Sequence, residues 1–566
     1  MDDYKKLREG NYLSVDKTLL IQEWWQECAE VTILTRPRRF GKTINLSMLR
    51  YFFEKTPLSE RALFEHTSIW QYQEFRELQG SYPVIFLSFK DIKRRNWEEA
   101  YQEFSHVIAE EIKRVLSSLI LELDLYDRRL YDRIQSLQAS YTELTNSLKW
   151  ATKILKDHDQ KNVIVLIDEY DATITHAYLY GYYEVAVDFV RDLFSKGLKG
   201  NPHLCKGFLT GVVRTAKDGI LSGLNSPLIC TMLDKGFSDK FGFTEEEVEC
   251  LLALAGYKEK KEEAKRWYNG YTLGIKYTSN PQTMHLCKKV YNPWSILQYL
   301  HSGCVADIYW TRTGSTELLE RLIAGADGSI QQELISLLEG NSLALKKINQ
   351  DVILLDLNRK KQEPWSFLFF AGYLTTTKHT FDANEHQYTL DIPNLEIALL
   401  YKTLVTNALS KGLSLHQLTE LLKALMEGNL SVFSSLLTQL VVSLCSYHDL
   451  PSTTVETSLH LFVLGLLASL ADRYLIKSNL ESGDGRYDIL MVPKNEGDFA
   501  ILLEFKQGKE RQLEKLAQEA LLQMKTHRYE QQVRDLGYRG KILYYGIAVH
   551  RKQLVVKSYI DVLKDL

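Results

Sequence analysis

The chain has 566 residues, enough for three or four folding units at roughly 150 residues each. Its 69 Lys and Arg against 72 Asp and Glu leave a net charge of −3, which excludes a histone-like or tail-driven polyanion binder. A hydrophobic share of 45% and a charged share of 25% are ordinary globular values and exclude disorder as the dominant state. Any polyanion must therefore be gripped by a local basic groove. The seven cysteines, Cys28, Cys205, Cys230, Cys250, Cys287, Cys304 and Cys445, are scattered singly. With no CxxC and no His at zinc-finger spacing, they read as thiols of a reducing compartment. The acidic start Met1-Asp-Asp-Tyr4 lacks the positive region of a signal peptide. The longest apolar run, residues 459–471, is too short for a bilayer core of about 30 Å. A soluble, cytoplasmic chain with no membrane partner is predicted.

In chain order, residues 31–35 are a β-branched run ending in a Pro/Gly loop, and residues 44–53 follow with helical spacing. Residues 84–89, 163–167 and 207–213 are further strand candidates, separated by amphipathic helical stretches such as 97–156. Continuous apolar strands alternating with helices predict an α/β unit with a parallel sheet covered on both faces, over about 1–300. A Leu-rich region, 301–445, reads as a helical linker or lid with a β excursion at 367–390. The last block, 446–566, reads helix (456–472), three strands (474–478, 487–492, 499–505), helix (510–527), strand (541–549).

Thr35-Arg-Pro-Arg-Arg-Phe-Gly-Lys-Thr43 follows a strand and opens a helix, the setting in which backbone N–H groups and a helix N-terminus cradle phosphates. Arg39, Phe40 and Gly41 would line that cradle, Lys42 would reach the β- and γ-phosphates, and the Thr43 hydroxyl would bind Mg²⁺. Arg36 stands where the general GxxxxGK[ST] pattern has its first glycine. Asp168 and Glu169 close the apolar run 163–167, which places one carboxylate to hold Mg²⁺ and the next to orient the attacking water. Thr210, at the end of the following strand, is placed either to sense the γ-phosphate or to satisfy local backbone. Arg36, Arg38, Arg39 and Arg214 are all candidates for stabilising the transferred charge. The cluster Tyr178 to Tyr183 reads as packing rather than a base-stacking platform.

These motifs, with Tyr12-Leu-Ser-Val-Asp-Lys-Thr18, Asp168-Glu-Tyr-Asp171, Phe208-Leu-Thr-Gly-Val212, Ser222-Gly-Leu-Asn225, Phe241-Gly-Phe-Thr-Glu245, Trp267-Tyr-Asn-Gly-Tyr271 and Tyr291-Asn-Pro-Trp-Ser295, resemble the bacterial AAA-ATPase-like family. In that family RPRRFGK[ST] is the usual loop. The resemblance implies a P-loop NTPase fold, ATP as ligand and, commonly, a C-terminal nuclease domain.

In the last block Asp488 begins one strand, and Glu504 and Lys506 lie two apart on the next, hence on one face. If the strands pair, two carboxylates can hold Mg²⁺ or Mn²⁺ while the lysine serves the water at a scissile phosphate. The run 500–503 marks this strand as buried. With Ser478 to Asp488, the Glu504-Phe-Lys506 stretch resembles the PD-(D/E)XK nuclease superfamily, an α/β restriction-endonuclease-like fold. The resemblance assigns Asp488 and Glu504 as metal ligands and Lys506 as the catalytic lysine, with Gln523 and Tyr529 facing the site. Glu456 is a further acid to consider, and Lys477, Arg486, Lys506, Lys509 and Arg511 would supply the basic groove. The expectation is an ATPase coupled to a metal-dependent nuclease acting on nucleic acid, DNA before RNA, with self-association open. The rival is a nucleotide-switched signalling or scaffold protein whose C-terminal domain binds nucleic acid without cutting.

Overall fold

Val-Thr-Ile-Leu-Thr is apolar or β-branched at every position, and it forms a fully buried strand, β1 (Val31–Thr35). A computed structural model describes residues 2–56, 60–214, 224–275, 287–310, most of 328–447, scattered positions of 318–322 and 459–470, and 473–562 with short gaps. These residues fall into two compact units, Met1–Arg312 with Ala344–Asn394, and Thr313–Leu343 with Leu395–Leu566. The stretch read as a helical linker is thus shared between both units. Among the described residues no helix is long and apolar enough to cross a membrane.

In the first unit β1 is followed by α1 (Lys42–Phe53), β2 (Val84–Ser88), β3 (Val163–Asp168), β4 (Leu204–Gly211) and the short β5 (Leu228–Cys230). All pair in parallel in the order β2-β3-β4-β1-β5. Strands buried on both faces need no alternation, which is why they read as unbroken apolar runs. The register sets Leu34 opposite Thr210 and Ile167 opposite Leu209, so β1, β3 and β4 end level at one carboxyl edge. Below that edge Leu34, Ile164, Leu166, Phe52, Phe53 and Phe208 share one core with Trp24, whose ring meets Phe53 at 5.6 Å and Phe208 at 5.4 Å. Each such side chain contributes about 1.5–3 kcal/mol on burial.

Residues 363–391 add to this unit a helix, Glu363–Ala371, buried at all nine positions, and an antiparallel hairpin, Thr375–Asp382 with Glu385–Asp391. The β excursion expected at 367–390 is this hairpin, starting later because the helix precedes it. A second helix used below is α2 (Pro293–His301).

The second unit holds a mixed sheet of β6 (Tyr474–Ser478), β7 (Ile489–Pro493), β8 (Ala500–Gln507), β9 (Lys541–His550) and β10 (Gln553–Val562), in that order. Only β8 and β9 are parallel. The helix between them, α3 (Leu513–Thr526), covers one face, where Leu502, Leu521, Met524, Tyr529 and Tyr544 pack together. Most of the helix expected at 456–472 lies outside the described residues.

Candidate functional site

The loop after β1 turns into α1 through Gly41, whose φ of +82° is a left-handed conformation that suits glycine. Lys42 opens the helix buried, and its Nζ donates to the Arg36 and Pro37 carbonyls, both at 2.9 Å. Loss of water pushes its pKa down. Among the described residues Lys42 makes no ion pair. The Thr43 hydroxyl donates to Asp168 Oδ2 at 2.7 Å, and the Thr210 hydroxyl donates to Oδ1 of the same carboxylate at 2.6 Å. One buried acid at the end of β3 is thus gripped by Thr210 of the neighbouring β4 and by Thr43 of α1, which follows β1 one strand farther on. Burial, then the adjacent Glu169 charge, still hold the Asp168 carboxyl above its ordinary pKa.

Glu169 sits at φ +51°, unusual for a non-glycine residue. Beyond it, Asp171 is buried and accepts from the Val212 and Val213 N–H groups at 2.9 and 2.8 Å, while the Tyr170 hydroxyl donates to the Val213 carbonyl at 2.9 Å. A Cβ at Gly211 would lie 2.7 Å from the Tyr170 ring and 2.8 Å from Asp171 Oδ1, so the loops after β3 and β4 can close only over a glycine there. Asp171 carried no role in the sequence reading, although Asp168-Glu-Tyr-Asp171 and Thr210-Gly-Val212 are the two halves of this stitch.

The arginines separate by environment. Arg36 is fully buried and donates to the Thr35, Cys230 and Gly236 carbonyls at 2.9, 3.3 and 3.0 Å, its pKa pushed down to about 10 by burial. It staples β1 to the end of β5 and is spent on backbone. Arg39 lies 4.7 Å over the Trp294 ring, and Arg214 Nε stands 3.0 Å from Asp351 Oδ1. Phe40 is buried, its ring edge-on to Tyr271 at 5.0 Å between centres. Tyr182 and Tyr183 are buried, in keeping with packing.

In the second unit the pairing of Ile489 with Leu503 sets Asp488 across from Glu504, and Asp488 Oδ2 accepts the Phe505 N–H at 2.7 Å. Glu504 is 4% exposed. Its Oε1 accepts from Gln523 Nε2 at 2.6 Å, while its buried Oε2 has no hydrogen-bond partner among the described residues. Lys506 Nζ lies 3.6 Å from Glu504 Oε1 and donates to Gln523 Oε1. Gln523 Nε2 also donates to the buried Tyr529 hydroxyl at 3.2 Å. Burial first, then the Asp488 charge, push the Glu504 carboxyl up to about 8. Asp488, Glu504, Lys506, Gln523 and Tyr529 are thereby brought together. Lys509 and Arg511 are exposed just beyond β8; Glu456 and the Arg486 side chain lie outside the described residues.

Opposite Glu504 in the parallel register stands Gly546, where a Cβ would lie 2.2 Å from the Ala517 carbonyl of α3. The missing side chain lets α3 settle on the sheet and deliver Gln523. The sequence reading missed this glycine, because an isolated Gly in a strand signals close approach without naming the partner.

Among the described residues no three His, Cys, Asp or Glu side chains converge as a metal cluster. The acids come as pairs, Asp168 with Glu169 and Asp488 with Glu504. The orphaned Oε2 of Glu504 and the raised Asp168 fit a hard divalent ion that takes its other oxygens from water and phosphate.

Residues 1–221 match the family described as "Predicted AAA-ATPase", and residues 454–559 match the PD-(D/E)XK nuclease superfamily. A protein of Azotobacter chroococcum mcd 1, "Uncharacterized protein in vnfD 5'region", is 26% identical over 434 residues, covering 75% of this chain and 73% of the relative. The chain therefore joins an AAA-ATPase-like domain to a C-terminal domain of the PD-(D/E)XK nuclease superfamily.

Proposed function

We propose that the chain binds and hydrolyses ATP in its first unit and cleaves phosphodiester bonds of nucleic acid, DNA before RNA, in its second. One observation carries the reading: each unit buries a carboxylate beside a second acid and close to a lysine, Asp168 bonded to Thr43 next to Lys42, and Glu504 3.6 Å from Lys506. A buried acid that costs stability when ionised is retained where a cation is to be bound. In the first unit Lys42 leaves the Arg36 and Pro37 carbonyls for the β- and γ-phosphates, and main-chain N–H groups of Arg39, Phe40 and Gly41 cradle them. Thr43 and Asp168 would hold Mg²⁺, Glu169 orients the water, and Thr210 relays the state of the γ-phosphate through Asp168.

In the second unit Asp488 and Glu504 would hold Mg²⁺ or Mn²⁺, which when bound lowers the pKa of water and offsets phosphate charge. Lys506, oriented by Gln523, stands by the attacking water, and Tyr529 fixes the Gln523 amide. The six free cysteines among the described residues accord with a cytoplasmic site of action.

The test is cleavage of plasmid, single-stranded DNA and RNA by wild type, Glu504→Ala, Lys506→Ala and Lys42→Ala, with Mg²⁺ or Mn²⁺ and with or without ATP. Glu504→Ala should lose metal binding and cleavage together. Lys506→Ala should keep metal and lose roughly 10²–10⁴-fold in rate. Cleavage that persists in both would remove the assigned site, and a wild type that binds nucleic acid without cutting would favour a nucleotide-switched scaffold.

A further inference from the structure

The tip of the phosphate loop is held by residues outside the matched stretch 1–221. The Arg38 carbonyl accepts from Asn292 Nδ2 at 3.4 Å and from Trp310 Nε1 at 3.3 Å. Arg39, at φ +67°, lays its guanidinium 4.7 Å from the Trp294 ring centre. The Phe40 carbonyl accepts the Gly242 N–H at 3.3 Å, and its ring meets Tyr271 at 5.0 Å. At Pro37 the backing comes from Gly372, where a Cβ would stand 2.6 Å from the proline Cβ. Four consecutive loop residues, Pro37 to Phe40, therefore each have a partner drawn from 242–372.

Those partners are themselves firmly mounted. Asn292 caps α2, its Oδ1 accepting from the Trp294 and Ser295 N–H groups at 2.9 and 3.3 Å, which leaves Nδ2 for the loop. Trp294 Nε1 donates to the Tyr309 carbonyl at 3.2 Å, and the buried Trp310 packs 4.9 Å from Tyr373. A loop that wraps phosphates with main-chain N–H groups loses affinity by whatever it costs to order it on binding. Donors that fix its carbonyls beforehand remove that cost.

We infer that Asn292 and Trp310 are positioning residues of the nucleotide site: by holding the Arg38 carbonyl they preform the phosphate loop and set the affinity for the triphosphate, and the Arg39–Trp294 pair is the part that responds to occupancy. The inference rests on the ATP-binding reading above. It assigns to the segment after residue 221 a part in nucleotide binding that neither Lys42 nor Asp168 can supply.

The experiment uses the full chain carrying Asn292→Ser, Trp310→Phe, both together, or Lys42→Ala as reference. Serine caps a helix as well as asparagine but cannot reach the loop, and phenylalanine keeps a ring against Tyr373 without the N–H. Calorimetry with ATP–Mg²⁺ should give each single variant a dissociation constant raised roughly threefold to tenfold, the worth of one ordinary hydrogen bond, at unchanged melting temperature. The double variant should be weaker than either. Wild-type affinity in all three, with Lys42→Ala abolishing binding, overturns the inference and leaves the ATP reading standing; a wild type that does not bind ATP overturns both. If Trp310→Phe melts early, Asn292→Ser alone decides. As a second readout, the change in tryptophan emission on adding ATP–Mg²⁺ should shrink in Trp294→Phe, and an identical change there would remove the Arg39–Trp294 pair from the proposal.

Discussion

Glu504 is a carboxylate whose surroundings favour its proton, and the consequence for stability has a definite sign. Its ordinary pKa of 4.5 is pushed up to about 8 in the folded chain. Without metal, the stability it contributes is complete below pH 4.5 and is lost as pH rises toward 8, because the unfolded chain releases a proton that the folded chain keeps. Glu504→Gln lacks that slope. In a chelating buffer the variant should be more stable than wild type at pH 9, by on the order of a few kcal/mol, and about equal at pH 4. Denaturant midpoints measure this, and a gap that fails to widen with pH would contradict the burial argument. Glu169 poses a cleaner chemical question. Gln at that position has the same difficulty with a φ of +51° as Glu, so Glu169→Gln isolates charge from backbone strain. ATP should stay bound while phosphate release slows by about two orders of magnitude or more, read by rapid-quench turnover. Residues of this kind were legible from sequence because an acid ending an apolar run is a local signal. Arg36 was not. Its burial depends on Cys230 and Gly236, nearly two hundred positions away, and on a three-residue strand too short to announce itself.

At the scale of elements, the second site depends on how deeply α3 sits on the sheet. Ala517 and Ala520 on the helix and Gly546 on β9 are all small, and a Cβ at Gly546 would meet the Ala517 carbonyl at 2.2 Å and Ala520 Cβ at 3.2 Å. Gly546→Ala should lift the helix, destabilise the unit by about 1–3 kcal/mol through overpacking, and draw Gln523 away from Glu504 and Lys506. Cleavage should then fall by roughly tenfold to a hundredfold in kcat, since small misplacements are costly to positioned groups. Measured metal affinity should change much less, because Asp488 and Glu504 are placed by the pairing of β7 with β8 and not by the helix; equal losses in both would argue for general unfolding instead. The strands themselves were legible where they are apolar on both faces, as in β1, β3 and β8. The final strand, β10, was overlooked: Gln553–Val562 mixes Lys, Ser and Asp into its pattern and gains its identity from pairing along the whole of β9.

For the whole molecule, nucleotide and cleavage should be linked if the first unit governs the second. We expect ATP–Mg²⁺ to raise the cleavage rate of wild type, and Lys42→Ala to cleave at its basal rate whether or not ATP is present. A Lys42→Ala chain that retains the ATP effect would place the control elsewhere. The organisation of the chain was the least legible feature. Residues 344–394 join the first unit through contacts such as Gly372 on Pro37 and the Pro393 carbonyl against Gly270, none of which has a local signature.

The same arrangement means that the polypeptide passes from one unit to the other three times, near residues 312, 343 and 394. No single proteolytic cut can release either unit intact, and no simple truncation yields a complete first unit: a chain stopped at residue 300 lacks the buried helix Glu363–Ala371 and the glycine behind the loop after β1. During synthesis, the first piece of the second unit leaves the ribosome before the first unit is whole. A rearrangement that exchanged the whole of either unit would have to splice at three places in frame.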